Sequence, residues 1–115
     1  MIKVAVTGAC GKMGGLIIEN VLKSADLKLV CAIDVTNIGK DIGEVMKTGK
    51  LGVPVTDAND IENVLKISKP DVLIDFTIAQ AAVKNVIACA RNKVNLVVGT
   101  TGFTNDQISL IPLIQ

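Results

Sequence analysis

The sequence contains no histidine, no tryptophan and no tyrosine. Without histidine the chain loses the usual general acid–base, the commonest metal ligand and any Ser-His-Asp arrangement, so catalysis by these residues alone would fall to lysine, carboxylate or thiol. No spacing of Asp and Glu suggests a carboxylate pair or a metal loop. The aromatics are two phenylalanines and the formal net charge is +1 without a basic block, which argues against a nucleic-acid binder driven by charge and base stacking. No apolar run approaches the roughly 18 residues that span a bilayer. The amino terminus runs directly into a strand pattern without signal-peptide organisation, so no membrane association and a cytoplasmic location are expected. Cysteine is scarce, odd in number and scattered, at Cys10, Cys31 and Cys89, which fits reduced thiols rather than a disulfide framework or a zinc motif. Cys31 and Cys89 read as small buried residues. Cys10 falls in a glycine loop at a helix start, where a thiolate would be stabilised, although small filler is the weightier reading there too.

What remains is aliphatic. Half of the 115 residues are hydrophobic, mostly Val, Ile, Leu and Ala, as suits a sheet covered by helices. The length is that of one domain with a real core.

The stretch Val4 to Gly14, V-A-V-T-G-A-C-G-K-M-G, organises the rest. Ile2, Val4, Ala5 and Val6 read as a parallel strand buried on both faces, ending at Gly8. Gly8, Gly11 and Gly14 fall where a tight turn, close approach of backbone to a pyrophosphate, and close helix–strand packing each call for a missing side chain. From Met13, residues Met13, Ile17 and Val21, with Ile18, Leu22 and Ala25 beside them, repeat at helical spacing. A helix start with unpaired N–H groups and a positive dipole end therefore faces whatever lies over the loop, which favours an anion. The pattern is G-x-x-G-x-x-G rather than the commoner G-x-G-x-x-G, with Cys10 where the middle glycine often sits. Context supports it: a second apolar run, Lys28 to Ile33, ends in Asp34, twenty positions after Gly14, where a dinucleotide site needs a carboxylate for the adenosine ribose hydroxyls.

Farther along, Val35 to Gly52 reads as a mobile, mildly basic loop with glycines at Gly39, Gly43, Gly49 and Gly52 and a short helical turn around Ile42, Val45 and Met46. Val53-Pro54-Val55 reads as a short third strand at an edge or strand end. A helix follows, capped by Asp57 or Asn59, burying Ile61, Val64 and Leu65, and stopped by Pro70. Asp71 to Thr77 is the fourth strand, with Phe76 and Thr77 at the carboxyl edge where α/β sheets bind ligands. Ala79, Ala82, Val83, Val86, Ile87 and Ala90 mark the next helix, with Asn92 as its left-handed stop. Leu96 to Val98 is the fifth strand, running into Gly99-Thr100-Thr101-Gly102-Phe103, a loop suited to ligand contact through backbone and hydroxyl groups. Thr104 and Gln107 form a capping box for a helix cut short near Pro112. The expected fold class is α/β: a doubly wound, mostly parallel Rossmann-type sheet of about five strands flanked by helices.

V-x-V-x-G-A-C-G-K-M-G, D-F-T and V-V-G-T-T-G-F, in that order, resemble the N-terminal domain of dihydrodipicolinate reductases (4-hydroxy-tetrahydrodipicolinate reductases) of lysine and diaminopimelate biosynthesis. The resemblance extends over essentially the whole sequence and includes Gly49 to Thr56; G-T-T-G-F is its most specific part. It implies a phosphate loop at Gly8, Ala9, Cys10, Gly11, Lys12 and Met13, a ribose-reading acid at Asp34, and nicotinamide-side contacts at Phe76, Thr77, Gly99, Thr100 and Thr101. It also implies hydride transfer from NADH or NADPH to a cyclic dicarboxylate. The family's catalytic His pair and Lys, and its substrate-binding Gly-Thr, belong to a C-terminal domain that these residues do not include, so this chain alone is expected to bind cofactor without catalysing. Ile78-Ala79 stands where the family often has Pro-Glu.

NADH is expected to bind at least as well as NADPH, because Asp34 would accept from both ribose hydroxyls and repel a 2′-phosphate, with no Arg following it; Lys12 could temper this. The rival readings are a stand-alone, non-catalytic nucleotide-binding or redox-sensing module, and a dehydrogenase of another Rossmann family, against which G-T-T-G-F counts. The apolar cluster Ile108, Leu110, Ile111, Leu113 and Ile114 suggests self-association through the C-terminal segment, with burial in a folded-back helix as the competing outcome.

Overall fold

A computed structural model describes residues 1–75 and 79–98. Its centre is a parallel sheet of five strands, β1 (Ile2–Thr7), β2 (Leu27–Asp34), β3 (Val55–Asp57), β4 (Val72–Asp75) and β5 (Asn95–Val98). They lie in the order β3-β2-β1-β4-β5. The chain steps outward from β1 to β3, then returns to the other side of β1 for β4 and β5. The direction therefore reverses between β1 and β4, and a crevice opens at the carboxyl ends of those two strands. Helices α1 (Lys12–Lys23), α2 (Ile42–Val45), α3 (Ile61–Ser68) and α4 (Ala79–Asn92) complete the doubly wound, Rossmann-type arrangement.

Side chains alternate across β1 and so build a core on each face. Val4 and Val6 pack with Ile18 and Val21 of α1, while Ala5 packs with Leu65 of α3, Cys89 of α4 and Leu73 of β4. In β2 the alternation slips by one residue. Val4 pairs with Leu29 but Ala5 pairs with Cys31, so Val30 is an extra residue in the ladder, and Leu29 and Cys31 serve opposite cores.

Several boundaries differ from the sequence reading. In α1 the buried residues are Gly14, Ile18 and Val21, whereas Met13 and Leu22 are exposed and Ala25 lies past the helix end. The helix is turned so that the side-chain-free position, Gly14, meets the strand, and this rotates Met13 outward. The third strand begins at Val55, after Pro54 rather than before it. It is the edge strand that the proline implies, and Pro54 itself bridges to Asp41. Asp57 caps a 3-10 turn by accepting from Asn59 N–H at 2.9 Å, and α3 follows from that turn. The left-handed residue after α4 is Lys93, at φ 56°, not Asn92. Asn92 remains helical and its side-chain amide donates to Ala88 O at 2.8 Å.

The segment read as a mobile loop does carry the expected helical turn, α2, but the whole is a bonded unit built on one carboxylate. Asp41 accepts from the N–H groups of Gly43, Glu44, Leu51, Gly52 and Val53 at 2.7–3.3 Å, capping α2 and gathering the chain that returns to β3. The N–H groups of Leu51 first, then of Gly52, Glu44 and Val53, hold the Asp41 carboxyl below its ordinary value. The ligand-contacting loop expected at 99–103 and the capped helix expected from Thr104 lie outside the described residues.

Candidate functional site

The site is assembled where β1 hands over to α1. Gly8 turns the chain at φ 71°, a left-handed conformation that favours glycine. Ala9 is buried, with its N–H bonded to Ile33 O at 3.2 Å, and Gly11 N–H bonds back to Gly8 O at 3.1 Å. A Cβ on Gly14 would stand 2.1 Å from Gly8 O and 2.8 Å from Ala9 Cα, so no side chain fits between helix and strand. Gly11 is different: a Cβ there would meet Gly8 O at an ordinary 3.5 Å. Packing within the protein does not demand a glycine at that position; close approach from outside would.

Gly11 is also the N-cap of α1, and no side chain caps the helix or places an acid in its first turn. The N–H groups of the first turn, Lys12, Met13 and Gly14, thus lack intrahelical acceptors and point outward with the positive end of the dipole. Lys12 and Met13 are exposed at the rim. This arrangement is fit for a pyrophosphate.

Asp34 lies at the carboxyl end of β2, half-buried. Its Oδ2 accepts from Cys10 N–H at 2.9 Å and its Oδ1 accepts from Val35 N–H at 2.6 Å and Thr36 N–H at 3.4 Å. The carboxylate is therefore pinned to the phosphate loop, with acceptor capacity left over, since an ionised carboxylate offers about four lone-pair sites. Sequence spacing brought Asp34 and the loop together on paper, and the Cys10–Asp34 bond joins them in space. A cleft of about 400 Å³ runs along the loop, lined by Ala9, Cys10, Gly11 and Lys12 on one side and by Val45 and Met46 on the other. A wider cleft of about 870 Å³ adjoins the unit built on Asp41, where Lys40 and Lys50 share the lining with Asp41 and Glu44, so its cations are balanced.

Cys10 follows the weightier of its two readings, small filler. Its thiol is pushed above the ordinary cysteine value, chiefly by burial, opposed by a hydrogen bond with Asn37 and reinforced by the Asp34 carboxylate. The neutral thiol is favoured, its Sγ lying 3.6 Å from Thr36 O. That removes the helix-start argument for a reactive thiolate and weakens the redox-sensing reading. Cys89 is more inert still, pushed up to about 12 by burial and then by Asp75. Cys31 is also raised, by burial.

Of the remaining expected contacts, Phe76, Thr77, Gly99, Thr100 and Thr101 lie outside the described residues. The strands that lead to them end level with the phosphate loop: Thr7 pairs with Asp75, and Asp75 with Val98. Sequence reasoning missed what lies at that level. Asp75 is fully buried and accepts from Thr7 Oγ1–H at 2.6 Å and from Asn85 Nδ2–H at 3.0 Å. The available signal is an acid closing the apolar run V-L-I, next to Phe76 and Thr77.

With this geometry in place, a family model described as "Dihydrodipicolinate reductase, N-terminus" matches residues 2–114. The chain belongs to that family. It is 56% identical over 110 residues to the 4-hydroxy-tetrahydrodipicolinate reductase of Methanocaldococcus jannaschii, covering 93% of this chain and 40% of that protein. It is 55% identical over 111 residues to the enzyme of the same name from Methanosarcina barkeri, covering 96% of this chain and 42% of that one. Among solved structures, dipicolinate-bound dihydrodipicolinate reductase from Paenisporosarcina sp. superposes with a TM-score of 0.78 at 31% identity, over 99% of this chain and 43% of that chain. This dihydrodipicolinate reductase N-terminal chain thus spans about two fifths of the length of the curated relatives it matches. Among its described residues no helix is long and apolar enough to cross a membrane.

Proposed function

We propose that the chain is the NADH- or NADPH-binding part of a 4-hydroxy-tetrahydrodipicolinate reductase of lysine and diaminopimelate biosynthesis, orienting the nicotinamide for hydride transfer. The observation that carries the proposal is the open start of α1: uncapped, locked against β1 by Gly14, and tied through Cys10 N–H to Asp34 at the ribose position. In this reading the first-turn N–H groups bind the pyrophosphate, Gly11 lets it approach, and Asp34 accepts from the ribose hydroxyls. Family membership supports assigning the nicotinamide-side contacts to Phe76, Thr77, Gly99, Thr100 and Thr101. The bound dinucleotide supplies the hydride. The dicarboxylate site and the acid belong to the remaining three fifths of the reductase, so this chain alone binds cofactor and does not turn over.

Calorimetric titration of NADH and NADPH tests the proposal. One site is expected in the wild type and none in Gly11→Glu, whose carboxylate enters the phosphate space; a wild type indistinguishable from that variant overturns the reading. NADH is expected to bind at least as well as NADPH, and Asp34→Ser to shift the ratio toward NADPH. An unchanged ratio rejects the role given to Asp34.

A further inference from the structure

We infer that Thr7, Asp75 and Asn85 form a positioning device for the nicotinamide half of the site, an inference that rests on the dinucleotide reading above. All three are buried polar side chains, at 0%, 0% and 2% exposure. Asp75 is their hub, receiving the Thr7 hydroxyl on Oδ1 at 2.6 Å and the Asn85 amide on Oδ2 at 3.0 Å. Enclosing a carboxylate in a sheet core costs free energy unless donors hold both oxygens, and an apolar side chain would pack there without that cost. Core packing alone therefore does not explain an acid at this position.

Its location does. Thr7 closes β1 and is followed by Gly8, the first residue of the phosphate loop; Asp75 closes β4 and is followed by Phe76 and Thr77, assigned above to the nicotinamide side. Asn85 reaches Asp75 from α4. The network thus spans the point where strand order reverses, linking the root of the phosphate loop to the root of the nicotinamide contacts. Directional hydrogen bonds fix an angle that apolar packing leaves softer. Thr7, Asp75 and Asn85 are positioning residues: they act through the residues that follow them and touch no ligand themselves.

The test compares NADH with ADP-ribose, which carries the pyrophosphate and both riboses but no nicotinamide, on the full chain. In the wild type NADH is expected to bind more tightly than ADP-ribose and to change its fluorescence on binding. In Asp75→Asn one acceptor becomes a donor, and in Thr7→Val the hydroxyl is lost at nearly unchanged shape. Each is expected to weaken NADH about tenfold while ADP-ribose stays within about twofold, because the phosphate loop is also held by the close packing of Gly14 and by the Cys10–Asp34 bond, which these variants leave intact. Thr7→Ser, which keeps the hydroxyl, is expected to restore the NADH affinity. If Asp75→Asn does not fold, Thr7→Val against Thr7→Ser carries the test. NADH and ADP-ribose weakening in parallel overturns the inference in favour of a role in the fold alone, and so do unchanged affinities or a wild type that does not distinguish the two ligands. A wild type that binds neither ligand overturns the dinucleotide reading itself, and this inference with it.

Discussion

At the scale of single residues, the glycines of the phosphate loop divide their work, and the division can be measured. Gly14 answers to internal packing, since a Cβ there would stand 2.1 Å from Gly8 O, well inside contact distance, and α1 could not keep its seat against β1. Gly14→Ala is expected to destabilise the chain by about 3 kcal/mol, the scale of a backbone clash in a packed core. Gly11→Ala meets an ordinary contact and gives up a tolerable N-cap, so it is expected to cost below about 1 kcal/mol. Denaturant titration of both variants decides this, and equal losses would contradict the division. Gly8 and Gly14 were legible in the sequence because each meets a local steric demand, a left-handed turn and a close helix–strand contact, and Asp34 because the lengths of α1 and β2 set its distance from the loop. For the Cys10 thiol the sequence left a thiolate open as the lesser reading because helix-start electrostatics can be read from neighbours, whereas burial and the Asp34 carboxylate, which disfavour it, arrive from elsewhere in the chain. Asp75 does leave a local signal, an acid closing an apolar run, but its partner Thr7, 68 positions away, cannot be read from it.

At the scale of elements, sequence reasoning placed the strands and helices well where apolar periodicity was strong and poorly where one polar group did the organising. The α3 stripe Ile61, Val64 and Leu65 is buried as expected. In the segment between β2 and β3 the helical turn at Ile42–Val45 was legible, but the bonding around it was not, because four glycines and scattered lysines look like an unrestrained loop while acceptors on a single carboxylate leave no periodic signature. Asp41→Ala removes an acceptor shared by five N–H groups. It is expected to raise amide hydrogen exchange at Leu51, Gly52 and Val53 by about tenfold or more, with α1 unaffected. Acid should mimic the substitution. The folded-state value of Asp41 is depressed, so its stabilisation is fully present above its ordinary value of 3.8 and is lost as pH falls from there through the lowered value. Exchange at those amides that is insensitive to both the substitution and acid would contradict the account of this unit.

At the scale of the whole molecule, α1 packs on β1 and β2. On the same face farther along the sheet, Val97 of β5 is 53% exposed, and Val72 and Ile74 of β4 are half-buried. An apolar strip on a sheet face and the apolar cluster from Ile108 to Ile114 both favour association. The chain is expected to form dimers or larger species by light scattering, and Leu110→Lys with Ile111→Lys to return it to monomer; a wild type that stays monomeric at high concentration would contradict this. The proposed dinucleotide site lies at the carboxyl edge of the sheet, where β1, β2 and α1 meet. Titrating NADH into isotopically labelled chain and following backbone amide shifts tests it most directly. Shifts are predicted to concentrate on Gly8 to Gly15 and Asp34 to Thr36, with Gly11, Lys12, Met13 and Gly14 moving most and the amides of α3 remaining still. Shifts centred on the cleft beside Lys40 and Lys50, or no shifts at saturating NADH, would contradict the account.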